Sequence, residues 1–552
     1  MAFRLVRIKH LFIILSCAAV LLIGRLFYLQ IFHGPQLTTA SLSSRVQEVS
    51  VEIARGDILD IRGLPLTNMV RHFSILVFPN QLINKSQTVH HLADLTGQPY
   101  EQISKKIKAQ RPFRVKTNID AVSAQKINTS NITGVLAVPE KVRYSYTSLA
   151  AHLVGYANTA DNNGVSGLEK MYDDLLRGNQ SEYVAALVDA EQQLIPGLGY
   201  KRLHTNDRSE AINVVTTIDS KIQKIVESKM DQYIHRGAVI IMRPTTGEIV
   251  AMASRPNFDA NNLGEYLARS SAPLLNRAVA AYQPGSVFKL VLAAAALESK
   301  LVRPQDRYFD AGYIDVNGQR FKGWDYDQGS RGRISFTDAI AYSSNPVVIQ
   351  VALKLGATEL ISYAKRLGFG QKTKLAFDGE ASGNLPDPDK LYPGDLANLS
   401  LGQGFLEASP LQVASLIATI VNDGVKTDPS VIKQLTTSDG TVVKKYPLSV
   451  GSRVLSRQTA SQLRDMMTAT TRYGTGQAAY VENGGSAGKT GSAETGNFNK
   501  QGKSLSHAWF AGYAPLTNPA YVIVVFVEEG MSGGEVAAPI FREIAAETLL
   551  VK

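Results

Sequence analysis

Ala520-Tyr-Val-Ile-Val-Val-Phe-Val527, with Ala508–Tyr513 before it and an apolar helical stretch near Ala537–Leu550 after it, reads as a strand between strand and helix. A matching texture stands far upstream. There Ala238-Val-Ile-Ile-Met242, the turn Pro244-Thr-Thr-Gly247 and Ile249-Val-Ala-Met-Ala253 predict a hairpin. A short strand over Val214–Ile218 precedes it, and Asp219 caps a helix over Ser220–Tyr233. Strands at both ends of a mainly helical middle predict one α+β domain at 213–552, whose sheet joins both ends of that segment.

Outward from this domain, residues 45–205 are mixed and turn-rich. They carry strand-like segments at Val49–Ile53 and Phe73–Phe78 and a helical stretch at His90–Ile107, and read as a separate N-terminal module. Ahead of it, Arg4, Arg7 and Lys9 precede the uncharged run Leu11–Gly24. Extending that run to Phe32, across Arg25 and Gln30, gives a span near the ~20 residues that cross a bilayer core. The basic start predicts a cytoplasmic tail at 1–10, an uncleaved transmembrane anchor at 11–32 and everything later outside the membrane. A cleaved signal peptide is the competing reading. It lacks its small-residue cleavage pattern, because Phe27-Tyr-Leu-Gln-Ile-Phe32 follows the apolar run.

Composition excludes several classes. With 44% hydrophobic and 19% charged residues over 552 positions, the chain is globular rather than disordered. One cysteine excludes a disulfide framework and a cysteine-built metal site, and the nine histidines include no H-E-x-x-H pair, so no metal or cofactor is called for. The net charge of +10 is mild for this length and predicts no nucleic-acid partner.

Three motifs inside 213–552 carry chemistry. Pro284-Gly-Ser-Val-Phe-Lys289 opens an apolar helix and sets Ser286 and Lys289 three apart, on one face. A serine needs a base, and a lysine serves as one when burial lowers its pKa. Ser343-Ser344-Asn345 places a hydroxyl and an amide two apart on a loop, suited to proton relay and amide binding. Lys489-Thr490-Gly491-Ser492 follows the flexible Gly484–Gly488. On a strand its side chains alternate, Gly491 allows a ligand close to the backbone, and Lys489 with Thr490 suits a carboxylate. Singly, each motif also fits a solvated helix face, a helix cap or a turn.

In this order and at these spacings the three resemble the penicillin-recognising serine acyltransferases. Arg55-Gly-Asp-Ile-Leu-Asp60, Gly164–Tyr172 with Arg177-Gly178, Asn276-Arg-Ala278, Ser400-Leu-Gly-Gln-Gly404 and Trp509-Phe-Ala-Gly-Tyr513 narrow the resemblance to class B penicillin-binding proteins, over roughly residues 45–545. It implies an anchored pedestal or dimerisation domain, and a transpeptidase domain with an antiparallel sheet flanked by helices, similar to serine β-lactamases. It further implies a D,D-transpeptidase that crosslinks peptidoglycan stem pentapeptides ending in D-Ala-D-Ala and is acylated by β-lactams. By the same resemblance Ser286 is the nucleophile, Lys289 its base and Ser343 the proton relay. Asn345 binds substrate, Lys489 and Thr490 take the carboxylate, and the Ser286 and Ser492 N–H groups form the oxyanion hole. Ser492 departs from the family's usual Thr and Val287 from another usual Thr; neither removes a motif. No glycosyltransferase segment is evident, so the resemblance implies a monofunctional enzyme partnered with a SEDS-type glycosyltransferase. Three alternatives stand beside it: a β-lactam-hydrolysing relative using Glu380 in Glu380-Ala-Ser-Gly-Asn384 as deacylating base, a β-lactam sensor, and a scaffold for wall synthesis.

Overall fold

The structure, a computed structural model, describes residues 2–34, 37, 45–67, 70–130, 132–144, 148–158, 162–189, 191–195, 197–204, 211–498, 502 and 504–551. At the N-terminus, helix α1 (Ala2–Phe27) continues through a wide turn, Tyr28–Phe32. Its apolar span Val6–Phe32 has 27 residues, about 40 Å at helical rise, and Leu11, Phe12, Leu21 and Leu22 are all exposed. A helix this long and apolar has the length to cross a bilayer.

Two compact units follow from the packing. The first comprises Met1–Ala54, Val70–Val142 and Asn179–Ser209; the second comprises Arg55–Met69, Arg143–Gly178 and Glu210–Lys552. By packing, the described residues within 55–69 and 143–178 group with the C-terminal unit. The physical reason is a shared sheet and a shared core. Ile58 and Leu59 pair in parallel with Val214 and Val215. Ile58, Leu66, Leu153 and Leu168 join the same apolar cluster as Leu290 and Leu411.

In the first unit, Val70–Val77 lies between Phe113–Ile119 and Val135–Val142, antiparallel to both. Its period-two alternation divides two cores. Ile75 and Val77 pack with Leu92, Ile103, Ile107 and Ile127 of three helices. Leu76 packs with Val138 and with Val184 and Ala186 of a second three-stranded sheet. The single helix expected over His90–Ile107 is two, Lys85–Thr96 and Tyr100–Lys108. Gly97, at φ +65, ends the first with a left-handed cap, and Pro99 starts the second.

The second unit is built on a five-stranded antiparallel sheet. Its strands are β1 (Gly237–Met242), β2 (Ile249–Arg255), β3 (Ala487–Phe498), β4 (Ser504–Ala514) and β5 (Tyr521–Val527), in the order β2-β1-β5-β4-β3. Val524 of β5 stands opposite Ile240 of β1 and Ala511 of β4, so the late strands do close onto the early hairpin. Each face buries its own helices. Val239, Ile241, Phe510 and Val525 pack with Ile222 and Val226 of α2 (Ser220–Tyr233) and, from the C-terminal helix Ala538–Thr548, Phe541 and Ile544. Ala238, Ile240, Trp509 and Val524 pack with α3 (Lys289–Glu298) and the helix Pro410–Val421. β3 is left at the sheet edge.

The Arg55 and Glu169 segments form a clamp within this unit. Glu169 has no solvent exposure. Its Oε2 accepts from Arg55 Nε at 2.7 Å, and Oε1 accepts from the Tyr144 hydroxyl at 3.0 Å and from Arg143 Nε. Arg55 also reaches Asp173 at 2.7 Å. These residues hold segments of the second unit together.

Candidate active site

Helix α3 is buried from Lys289 to Leu297, so its all-round apolar sequence carries Lys289 into the core. Ser286 precedes it on a tight 3-10 turn, Gly285–Phe288, one turn earlier than the α-helix proper. That turn is fixed by backbone approach. Gly285 adopts φ +56, and a Cβ on it would stand 2.6 Å from the Ser492 carbonyl oxygen of β3. Its N–H donates to the Gly402 carbonyl at 2.9 Å, so the Ser400–Gly404 segment braces the other side.

Lys289 Nζ donates to the Ser343 carbonyl (2.7 Å), the Ser343 hydroxyl (3.2 Å) and Asn345 Oδ1 (2.7 Å). These three contacts lie on the Ser343–Asn345 side rather than on Ser286; catalytic hydrogen bonds often tighten only once substrate is bound. Burial pushes the Lys289 ammonium well below its usual range. The Lys489 charge lowers it further, against the opposing pull of Asp310 and Asp325. The shift runs in the direction that general-base work by a lysine requires.

Ser343 sits at φ +58, a strained conformation for serine, just before helix α4 (Asn345–Leu355). Asn345 is thus the first helical residue rather than a loop residue, with Ser344 as its cap. The Asn345 amide donates from Nδ2 to the Lys322 carbonyl at 2.8 Å.

On β3 the alternation divides the third motif. Thr490 and Ser492 face a cleft of about 600 Å³ that Ser286, Ser343 and Asn345 also line. Lys489 is fully buried behind that lining, with Nζ on the Thr490 carbonyl at 3.1 Å and 3.5 Å from the Thr490 hydroxyl, and burial pushes it down to about 7. At Gly491 the space for a side chain is filled by the chain itself: a Cβ would stand 2.8 Å from the Pro284 carbonyl oxygen. Its glycine lets β3 lie against the Ser286 turn, a reason different from ligand approach.

Sequence reading missed several cleft residues. Thr475 Oγ1 lies 2.6 Å from Thr490 Oγ1. Trp324, one of two tryptophans, is 59% exposed at the rim. Glu494 and its cross-strand partner Ser506 also line the cleft; continuing the period of two from Thr490 and Ser492 reaches Glu494. Glu380, by contrast, lies outside the lining. It is 3% exposed and accepts the Thr373 N–H at 2.7 Å and the Phe377 N–H at 3.2 Å, a loop-stapling role. Burial lowers His152 to about 4, and its Nε2 donates to the Pro273 carbonyl, a packed histidine.

The chain is similar to known proteins over nearly its whole length. Residues 237–546 match the penicillin-binding protein transpeptidase domain, and residues 50–198 the penicillin-binding protein dimerisation domain. Stage V sporulation protein D of Bacillus subtilis is 31% identical over 569 residues, covering 99% of this chain and 86% of that protein. Peptidoglycan D,D-transpeptidase MrdA of Escherichia coli K12 is 25% identical, covering 96% and 92%. Among solved structures, penicillin-binding protein 3 of Mycobacterium tuberculosis superposes with a TM-score of 0.64 at 26% identity, covering 91% of this chain and 96% of that one. An antiparallel sheet whose edge strand flanks a serine turn, joined to a matched dimerisation domain and a relative alike over nearly the whole chain, places the protein in one family: the chain belongs to the class B penicillin-binding proteins.

Proposed function

We propose that this protein is a peptidoglycan D,D-transpeptidase working through a Ser286 acyl-enzyme. The observation that carries the reading is the buried, pKa-depressed Lys289 on the first turn after Ser286, hydrogen-bonded to Ser343 and Asn345 at one cleft. Lys289 takes the Ser286 proton as Oγ attacks the penultimate D-Ala carbonyl. The tetrahedral oxyanion sits against the Ser286 and Ser492 N–H groups. Ser343 relays the proton to the leaving nitrogen, and D-Ala departs. An acceptor amine then attacks the ester, forms the crosslink and regenerates Ser286. Asn345 holds the peptide amide, and Thr490 backed by Lys489 holds the terminal carboxylate. A β-lactam acylates the same serine, but its tethered ring remnant blocks the acceptor. Glu380 is occupied by two backbone N–H groups, which argues against a built-in deacylating base.

The unit carrying the cleft comprises residues 213–552 with 55–69 and 143–178. Residues 11–32 anchor it, with the N-terminus cytoplasmic and the catalytic unit outside. A SEDS-type glycosyltransferase supplies nascent strands to it.

Intact-mass mapping after labelled-penicillin treatment tests the mechanism. The adduct is expected on Ser286, absent in Ser286→Ala, and formed about 10²–10⁴-fold more slowly in Lys289→Ala. An adduct elsewhere overturns the assignment. Co-purification of the glycosyltransferase with the full chain but not with a chain lacking residues 1–34 tests the partner.

A further inference from the structure

Ser344, the middle residue of Ser343-Ser344-Asn345, has no part in the mechanism above, yet it is firmly tethered. It is 3% exposed, and its hydroxyl donates to Asp310 Oδ2 at 2.6 Å while accepting the Val347 N–H at 3.3 Å. Asp310 ends the strand Arg307–Asp310 and is 2% exposed. Its other oxygen, Oδ1, accepts the Gly312 N–H at 2.8 Å. On either side of Ser344 stand the two groups that receive the Lys289 ammonium at 2.7 Å, the Ser343 carbonyl and Asn345 Oδ1. Ser343 holds φ +58, a strained conformation that persists only where its surroundings enforce it.

We propose that Asp310 is a positioning residue for acylation: by holding the Ser344 hydroxyl it fixes the strained turn that sets Ser343 and Asn345 against Lys289. The proposal rests on the reading of Ser286 and Lys289 as the acylating pair. A carboxylate suits the place because both of its oxygens accept, one from a hydroxyl and one from a backbone N–H. An amide of the same size accepts at one atom and presents a donor at the other. The position also carries charge. Lys289 is faced by Lys489 from β3, which disfavours the ammonium, and by Asp310 and Asp325, which favour it. Arg331 pairs with Asp325 at 2.6 Å, whereas Asp310 has no ion-pair partner among the described residues. The strand that bears Asp310 pairs with Gly332–Ser335, outside the five-stranded sheet, so the tether joins a peripheral ribbon to the cleft.

The experiment measures the second-order rate of labelling by fluorescent penicillin across pH in the full-length protein, normalised to folded protein. Asp310→Asn and Ser344→Ala are each expected to slow labelling by up to about 10²-fold, the scale of a misplaced catalytic group. The double variant should be no slower than the worse single one, since both cut one tether. Ser344→Thr, which keeps the hydroxyl, should restore the rate. Loss of the Asp310 charge should also move the acid limb to lower pH in Asp310→Asn but not in Ser344→Ala, because Lys289 then gives up its proton more easily. Wild-type rates in both single variants, or fully additive losses in the double variant, overturn the proposal. Where Asp310→Asn fails to fold, the Ser344→Ala and Ser344→Thr pair decides it. Wild-type labelling at a residue other than Ser286 overturns the mechanism itself, and this proposal with it.

Discussion

Gly402 and Gly285 meet backbone to backbone: a Cβ on Gly402 would stand 1.9 Å from the Gly285 carbonyl oxygen. Nothing larger than hydrogen fits there without moving the turn that carries Ser286. Gly402 also holds φ +77, where a side chain is strained whatever the space.

Gly402→Ala is therefore expected to destabilise the fold by more than about 1 kcal/mol and to slow penicillin labelling by about 10²-fold. Gly440→Ala is the control, because Gly440 has φ +89 but open space around it. It should cost about 1 kcal/mol and leave labelling unchanged. Urea denaturation and labelling rates on both variants check this.

Lys489 predicts a pH dependence of stability. Burial lowers it from 10.5 to about 7. Between those values the unfolded chain binds a proton that the folded chain has released, so stability rises with pH through that window. Below pH 7 the destabilisation is fully present, and Lys289 acts in the same direction. Lys489→Met should be more stable than wild type at pH 6–7, by on the order of 1 kcal/mol or more, with the gap closing towards pH 10. Denaturation curves across pH read it directly, and an unchanged gap at pH 10 counts against burial as the cause.

Glu169→Gln should be costly although it lies far from the cleft residues in sequence. It leaves Arg55 and Arg143 without their shared buried carboxylate, and breaking such a network costs about 3–5 kcal/mol. A midpoint shift in denaturant of the cleft-bearing unit, followed through the buried Trp509, is the measurement.

Glu380→Ala distinguishes a transpeptidase from a β-lactamase. Removing the carboxylate orphans two backbone N–H groups, a loss of about 1–3 kcal/mol. The lifetime of the penicillin adduct should stay as it is in wild type. A markedly longer lifetime would show that Glu380 drives deacylation and would sink this assignment.

What the sequence disclosed depended on range. Local periodicity and capping placed α2 and its Asp219 cap, which accepts the Lys221 and Ile222 N–H groups. The Ser286–Lys289 spacing reads on one helix face because i and i+3 are neighbours wherever the helix sits. Pairing rules failed where a small signal governed a long stretch. Gly97 and Pro99 split a helix whose apolar pattern runs on through both halves. Tertiary partners were illegible altogether. Asp310 looks like any turn aspartate until the fold sets it against Ser344, and Arg55 and Glu169 are 114 positions apart. The membership of residues 55–67 in the second unit rests on the parallel pairing of Ile58 and Leu59 with Val214 and Val215 and on Leu66 in the shared core, which no local pattern announces.

The order of strands in the sheet bears on how the molecule is made. β1 and β2 emerge early in synthesis, yet β1 has no second neighbour until β5 has been added, almost three hundred residues later. Until then the edge of β1 is an open template of buried-type residues, Ala238 to Met242, on a chain that must close a very long loop before its pairing is rewarded. Non-local closure of this kind slows folding and prolongs exposure of strand edges. The interval between emergence of the hairpin and arrival of β5 is thus the period in which a nascent chain's strand edge stands open, and chains released before Tyr521 lack the strand that joins the hairpin to β4.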